Sequence, residues 1–217
     1  MKMRLLVVFS LFAFVYTTSA QRIAEGYIIG LNNDSVAVTF KLPKSMPAPI
    51  MKMYDQPFDF FHLKDEVEVI RDNGEPRWVT PRNARRLSFT YDSRNYELVS
   101  KPISPYQRNF LSPEILGTKI KLYNYTIVHQ GTAYYGNGMK AKGGSSPWKE
   151  YFWTIEKNDG SYLFINSRMR KRELRMMLSE FFRDQHGMLQ LIDQQFHGWF
   201  VNIPETVRNI VDAYNRN

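Results

Sequence analysis

The pattern of hydrophobic and polar positions changes character within residues 149–183. Up to Asn166 the apolar residues alternate and are rich in aromatic and β-branched types, and Asn158-Asp159-Gly160 interrupts them as a tight turn would. Beyond Asn166 the apolar residues recur with a period of about 3.6. The positions that share this period are Leu174, Met177, Leu178, Phe181 and Phe182. The pattern predicts a hairpin that leads into an amphipathic helix lying over a sheet.

Further hairpins are predicted upstream, because short alternating runs flank turn-forming residues. Asn32-Asn33-Asp34 separates residues 26–31 from 35–42, and Asp72-Asn73-Gly74 separates a second pair of runs. Residues 92–95 join a third pair. The N-terminal part of the chain therefore predicts antiparallel strands connected by short turns.

The middle of the chain contains a predicted helix, a strand and a loop. Ser112-Pro113-Glu114 is typical of a helix start and Gly117 of a helix end, so residues 105–117 predict a short helix. Residues 118–128 alternate strongly and predict a strand. Residues 131–147 contain five glycines and predict a loop.

Two more helices are predicted at the C-terminal end. Residues 188–196 place Leu189, Ile192 and Phe196 on one side, and a capping pattern at residues 202–205 precedes a last helix. The buried stripe of that last helix is predicted to be Val207, Ile210, Val211 and Tyr214.

These patterns together predict an α+β fold. Antiparallel β-hairpins form a sheet or a partly closed barrel, and C-terminal amphipathic helices cover it. Residues 21–217 have the length of one domain, with a β-rich part at 21–165 and a helical part at 166–217.

The N-terminal 20 residues have the three parts of a signal peptide. Lys2 and Arg4 precede an apolar run at residues 5–16, and Thr18-Ser19-Ala20 supplies the small residues of a cleavage site between Ala20 and Gln21. The run is shorter than the roughly 20 residues of a membrane span. We therefore expect an exported protein without a transmembrane segment in its mature chain.

Composition narrows the chemistry. The chain has no cysteine, which excludes thiolate catalysis, disulfides and cysteine-bound metal. The net charge of +8 falls to +6 once Lys2 and Arg4 are removed, a moderate excess that permits attraction to anionic surfaces. Aromatic residues make up 15% of the chain, which suits a large sheet core.

Several short motifs resemble exported, uncharacterised proteins of Bacteroidota. The resemblance rests on Gly26-Tyr27-Ile28-Ile29 with the following Asn-Asn-Asp-Ser-Val, Thr80-Pro81 with Leu87-Ser88-Phe89-Thr90-Tyr91, Phe110-Leu111 through Gly117 to Lys121-Leu122-Tyr123, and the closing Ile210-Val211-Asp212-Ala213-Tyr214-Asn215. The resemblance implies a location in the cell envelope of a Gram-negative cell, either in the periplasm or at the outer membrane, or secretion into the medium. It carries over no catalytic residue.

No motif predicts a cofactor or a metal. Gly136-Asn137-Gly138-Met139-Lys140-Ala141 matches a dinucleotide fingerprint, but a glycine- and proline-containing stretch follows where that site needs a helix. The four histidines lack ligand spacing: His186 and His197 flank a predicted helix near Asp184 and Asp193, and His62 lies near Asp55 and Asp59. We therefore predict neither cofactor nor metal.

The densest basic group surrounds the start of the first predicted helix. It comprises Arg168, Arg170, Lys171, Arg172, Arg175 and Arg183, of which the first five are the candidate contact residues. A solvated helix face is the favoured interpretation of this group. The alternative is contact with an anionic envelope polymer or a partner protein; nucleic acid is not expected for an exported chain.

Three functions remain open at the level of sequence. The first is a non-enzymatic envelope protein that acts through surface contacts. The second is a glycan hydrolase with paired carboxylates, although no local pattern singles out the pair. The third is a carbohydrate-binding module that uses exposed Trp148, Trp153 or Trp199.

Overall fold

A computed structural model describes residues 22–43, 60–71, 73–129, 134–135, 141–142, 148–199 and 201–216. The signal peptide with its cleavage site, most of the glycine-rich loop, and Asp55 and Asp59 lie outside the described residues. The strands are β1 (Arg22–Gly30), β2 (Ser35–Leu42), β3 (Val67–Ile70), β4 (Pro76–Val79), β5 (Ala84–Tyr91), β6 (Arg94–Pro102), β7 (Arg108–Leu116), β8 (Ile120–His129), β9 (Tyr134–Tyr135), β10 (Ala141–Lys142), β11 (Trp148–Lys157) and β12 (Tyr162–Asn166). The helices are a 3₁₀ turn (Phe60–Leu63), α1 (Lys171–Phe181), α2 (Met188–Gln195) and α3 (Ile203–Arg216).

Ten of the strands form one open antiparallel sheet in the order β12-β11-β8-β7-β6-β5-β1-β2-β3-β4. Among the described residues, β9 and β10 form a separate two-stranded pair. The α+β class and the antiparallel sheet are thus confirmed, while the partly closed barrel stays a prediction. None of the three described α-helices combines the length and apolar character that crossing a membrane requires.

The predicted turns join neighbouring strands of this sheet. Asn33 has φ of 64°, and Asp92 and Ser93 have φ of 50° and 59°, the left-handed values that short polar residues tolerate in tight hairpins. Gly160 takes φ of 85° between β11 and β12, where a side chain would be strained. These turns set which residues of adjacent strands lie opposite each other.

The predicted helix at residues 105–117 is wrong, because this segment forms strand β7. Phe110 and Leu111 pair with β6 and are fully buried, while the second half of β7 pairs with β8. Pro113 fits because the register shifts between Pro113 and Ile115, and proline is tolerated at such irregularities. Long-range pairing and burial therefore override the local helix-start pattern.

The three helices cover one face of β8, β11 and β12. The predicted apolar positions Leu174, Leu178 and Phe182 are buried there, as is the whole stripe of α3. Leu189 was predicted to face inward but is exposed, and Met188 occupies the core in its place. A second core around Phe40 and Leu87 fills the N-terminal half of the sheet.

Asn215 fastens the end of α3 to the start of β8. Its Oδ1 accepts hydrogen bonds from the backbone amides of Lys119 (3.1 Å) and Ile120 (3.0 Å), and its Nδ2 donates to the Ile120 carbonyl (3.1 Å). The amide lies against Gly117, where an added Cβ would overlap it. Gly117 and Asn215 both belong to the motifs that resemble exported proteins. We call the contact between them, which fixes the end of α3 to the start of β8, the Gly117–Asn215 joint.

Lys157 forms a second joint, between β11 and the helices. Its ammonium, on a half-buried residue, donates to the Phe181 carbonyl and to Asp184 Oδ1, both at 2.6 Å, and so completes the C-terminal end of α1. Asp184 also accepts a hydrogen bond of 2.8 Å from the Tyr214 hydroxyl on α3. Hydrogen bonds from Lys157 and Tyr214 lower the pKa of Asp184, while burial and Asp184 raise the pKa of Tyr214 to about 12.

Ile210→Ala should lower the free energy of unfolding by about 2–4 kcal/mol, because Ile210 is fully buried on the side of α3 that faces the core. Urea denaturation measures the change. Asn209→Ala, at an exposed position of the same helix, is the matched control and should leave the midpoint nearly unchanged. Equal midpoints for wild type and Ile210→Ala would show that α3 is not docked.

The Gly117–Asn215 joint predicts non-additive mutations. Asn215→Ala should cost about 1–3 kcal/mol, because three backbone groups lose their partner. Gly117→Ala should destabilise the wild type but cost much less in the Asn215→Ala background, where the overlap is gone. A double-mutant cycle by urea denaturation tests this, and additive effects would contradict the joint.

The Asp184 contacts predict a loss of stability in acid. A carboxyl whose pKa is lower in the folded than in the unfolded chain stabilises the fold above the unfolded value, about 3.9, and loses this contribution as the pH falls further. The stability difference between wild type and Asp184→Asn should therefore be constant near neutral pH and shrink below about pH 4. Tyr214→Phe removes one donor and should show a smaller effect. Parallel acid unfolding of wild type and Asp184→Asn would refute the assignment.

Candidate functional site

The pairing of β8 with β11 brings three chemically distinctive side chains together at one end of the sheet. His129 lies opposite Trp148, and Ile127 lies opposite Glu150, so Glu150 is diagonal to His129 on the same face. This face is opposite the one that the helices cover, because Trp153 and Ile155 point to the helices and even-numbered neighbours point away.

Glu150 is a buried carboxylate with two cationic or polar partners. Only 5% of the residue is exposed, and its Oε2 lies 2.8 Å from His129 Nε2. Its Oε1 lies 3.0 Å from Arg168 Nε. A carboxylate taken out of water is costly unless it is paired, so these contacts account for its burial. They also hold the imidazole and the guanidinium in place.

The indole of Trp148 completes the cluster. Its ring stacks on the His129 ring with centroids 3.9 Å apart and planes inclined by 11°. Arg168 Cζ lies 4.6 Å from the Trp148 ring, a distance typical of cation–π contact. Since Arg168 Nη2 also lies 3.4 Å from His129 Nε2, both groups approach the same face of the indole. Trp148 keeps 41% of its surface exposed.

We call these four residues, His129, Trp148, Glu150 and Arg168, the Trp148 platform. It presents an exposed aromatic ring beside a guanidinium whose side chain is 55% exposed and whose position is fixed by a buried carboxylate. Such a surface suits a ligand that combines an apolar or sugar ring with a negative group.

The predicted basic group does not form a single face. Arg168 belongs to the Trp148 platform, Lys171 donates to the Gly198 carbonyl, and Arg175 Nη2 lies 2.7 Å from Asp193. Arg170 and Arg172 are exposed. The five candidate contacts are thus divided between a platform residue, two residues that fix the helix to its neighbours, and two solvated arginines.

The three predicted tryptophans lie in different environments. Trp153 is fully buried and its Nε1 donates to Glu114 at 3.2 Å, so the prediction of an exposed ring there is wrong. Trp199 is fully exposed between α2 and α3, and Trp148 is the platform ring. The alternation of β11 explains the difference, since Trp148 and Trp153 are an odd number of residues apart and face opposite sides.

Glu114 is a second paired carboxylate, on the helix side of the sheet. It accepts hydrogen bonds from Trp153 and from Asn124 Nδ2 (2.5 Å), and it forms an ion pair with Arg208 of α3. These contacts tie α3 to β7, β8 and β11. Glu114 therefore serves the packing of the helices.

The other histidines do not assemble a metal site within the part of the chain that the structure describes. His62, His186 and His197 are exposed, and no group of three His, Asp or Glu side chains there has a geometry that could hold an ion. The dinucleotide-like motif at residues 136–141 lies almost wholly outside the described residues.

Comparisons of the chain with protein family models, with curated proteins and with solved structures find no match. The platform must therefore be interpreted from its own geometry. Sequence analysis missed His129 and Glu150, and one signal could have found them. His129 and Trp148 lie directly on either side of residues 130–147, so a hairpin closed by that segment places them opposite each other.

Proposed function

We propose that the protein is an exported, non-enzymatic protein of the Gram-negative cell envelope that binds an anionic envelope glycan at the Trp148 platform. The location is inferred from the signal-peptide pattern at residues 1–20 and from the motifs shared with exported proteins. The mode of action is inferred from the platform.

The convergence of Trp148 and Arg168 is the observation that carries this proposal. A flat ring packs against the apolar face of a sugar, and a guanidinium binds a carboxylate or phosphate with two parallel hydrogen bonds. Glu150 holds Arg168 before any ligand arrives, which reduces the entropy lost on binding. Arg168 belongs to the basic group and Trp148 to the set of tryptophans, which the sequence suggested as separate contact surfaces.

The positions of the buried and half-buried carboxylates favour binding over hydrolysis. A glycosidase needs two carboxyl groups about 5–10 Å apart across one cleft. Glu150 and Glu156 share a face but lie six residues apart on β11, or about 20 Å. Glu114 lies on the other face, and each of the three is engaged by a cationic side chain.

Co-sedimentation of the mature protein with purified Gram-negative envelope tests the proposal. The wild type should sediment at low salt and be released as salt rises, because exposed charge contacts are screened over roughly 8–10 Å at ordinary ionic strength. Arg168→Gln should weaken binding by about tenfold, since a charge-assisted hydrogen bond is lost. Trp148→Ala should weaken it as well.

Arg183→Gln is the matched control, because Arg183 is an exposed arginine paired with Glu180 on α1, outside the platform. It should bind as the wild type does. Circular dichroism confirms that each variant is folded. If Arg168→Gln and Arg183→Gln sediment alike, or if wild-type sedimentation is insensitive to salt, the platform is not the contact surface. Loss of binding after protease treatment of the envelope would indicate a partner protein and contradict the glycan.

A further inference from the structure

A cavity of about 480 Å³ lies at the opposite end of β11 from the Trp148 platform. It opens between the segment after β6 and the β11–β12 turn. Its walls combine basic side chains, one carboxylate and two phenol rings: Arg82, Lys101, Tyr106, Arg108, Glu156 and Tyr162. The volume falls within the range of about 300–1,000 Å³ that is usual for small-molecule sites.

The cavity has an excess of positive charge that its own carboxylate does not offset. Lys101 Nζ lies 2.5 Å from Glu156 Oε2, and the same ammonium lies 4.3 Å from the Tyr123 ring. These two charges therefore neutralise each other. The guanidinium groups of Arg82 and Arg108 remain.

Both guanidinium groups are held by neutral oxygens. Arg82 Nη2 donates to the Tyr106 carbonyl at 3.2 Å. Arg108 donates from Nε to Ser100 Oγ at 3.0 Å and from Nη2 to the Ser100 carbonyl at 2.8 Å. Ser100 is itself buried and donates to the Pro81 carbonyl at 2.6 Å, so Arg108 has a rigid support. Neither arginine forms an ion pair with a carboxylate of the described chain.

The aromatic walls indicate that the ligand is more than a bare anion. Tyr106 is 88% exposed at the rim, and Tyr162 is half-buried opposite Glu156 on β12. Exposure of the apolar surface of a phenol ring to water is unfavourable. A ring-shaped ligand that covers the phenol removes this surface from water and packs against it.

We infer that this cavity binds an acidic monosaccharide unit, with its carboxylate between Arg82 and Arg108 and its ring against Tyr106 and Tyr162. The inference deepens the proposed function and rests on it only for the choice of a glycan as ligand. The guanidinium groups and phenol rings of the site are complementary to a carboxylate on a sugar ring.

The cavity and the Trp148 platform lie on the same face of the sheet. Glu150 belongs to the platform and Glu156 to the cavity, and residues six apart on a strand point to the same side, about 20 Å from each other. A single acidic glycan chain that spans this distance engages both sites at once. Affinity should then rise steeply once the chain reaches that length.

Isothermal titration of the mature protein with glucuronate, glucose and inorganic phosphate tests the cavity. Glucuronate should bind at least about tenfold more tightly than glucose, because glucose lacks the charge-assisted hydrogen bonds. Arg82→Gln should weaken glucuronate binding by about tenfold on the same grounds. Tyr106→Ala, at an exposed position, should weaken glucuronate binding and leave phosphate binding unchanged.

Arg85→Gln is the matched control, since Arg85 is an exposed arginine of β5 that contacts Asn33 and does not line the cavity. Equal binding of glucose and glucuronate, or equal effects of Arg82→Gln and Arg85→Gln, would overturn the inference. Phosphate that binds as tightly as glucuronate, together with a silent Tyr106→Ala, would overturn the saccharide assignment.

The two proposals fail separately. If glucuronate binding does not depend on Arg82 but envelope binding still depends on Arg168, only the cavity inference is refuted. Glucuronate binding that depends on Arg82, without any envelope association, refutes the proposed function and leaves the cavity standing.

Discussion

The register between β8 and β11 is the constraint on which both faces of the sheet depend in the C-terminal half of the chain. Ten residues of each strand pair, from Trp148 with His129 to Lys157 with Ile120. One face of this pair supplies the apolar floor on which the helices lie, and the other carries the Trp148 platform. Because side chains alternate along a strand, a slip of one residue would exchange the two faces. It would place Glu150 beneath the helices and expose Trp153.

The buried and half-buried carboxylates are divided between the same two faces of the sheet. Glu114 binds Arg208 on the helix side and so contributes to holding α3 against the sheet. Glu150 and Glu156 lie on the opposite side and are each paired with a basic side chain. Removing one partner of such a pair leaves an uncompensated charge in a poorly hydrated place, which is strongly unfavourable. The carboxylates therefore fix basic groups in position, and the basic groups that face solvent are the ones available to a ligand.

Local signals in the sequence predicted the local features, and non-local pairing decided the rest. The turn at residues 158–160 and the stripe of α3 were predicted because each is specified by a few neighbouring residues. The predicted helix at residues 105–117 is wrong. Ser112-Pro113-Glu114 resembles a helix start, but the segment pairs with β6 on one side and β8 on the other and therefore forms a strand. Leu189 and Trp153 were assigned to the wrong side for a related reason. Apolar character alone does not tell which face of an element meets the core.

Gly117 and Asn215 lie at the start of β8, at the opposite end of that strand from the Trp148 platform. Gly117 and Asn215 meet where α3 joins β8, and Tyr214 contacts Asp184 at the second joint. Arg168 and Trp148 lie outside the motifs that resemble exported proteins, whereas Thr80-Pro81 directly precedes Arg82, and the Pro81 carbonyl accepts the hydrogen bond from Ser100, which in turn supports Arg108. A glycine that must accept a close amide and an asparagine that saturates three backbone groups permit few substitutions. Gly117 and Asn215 therefore specify how α3 is attached to the sheet, and the Trp148 platform is built from residues outside the motifs.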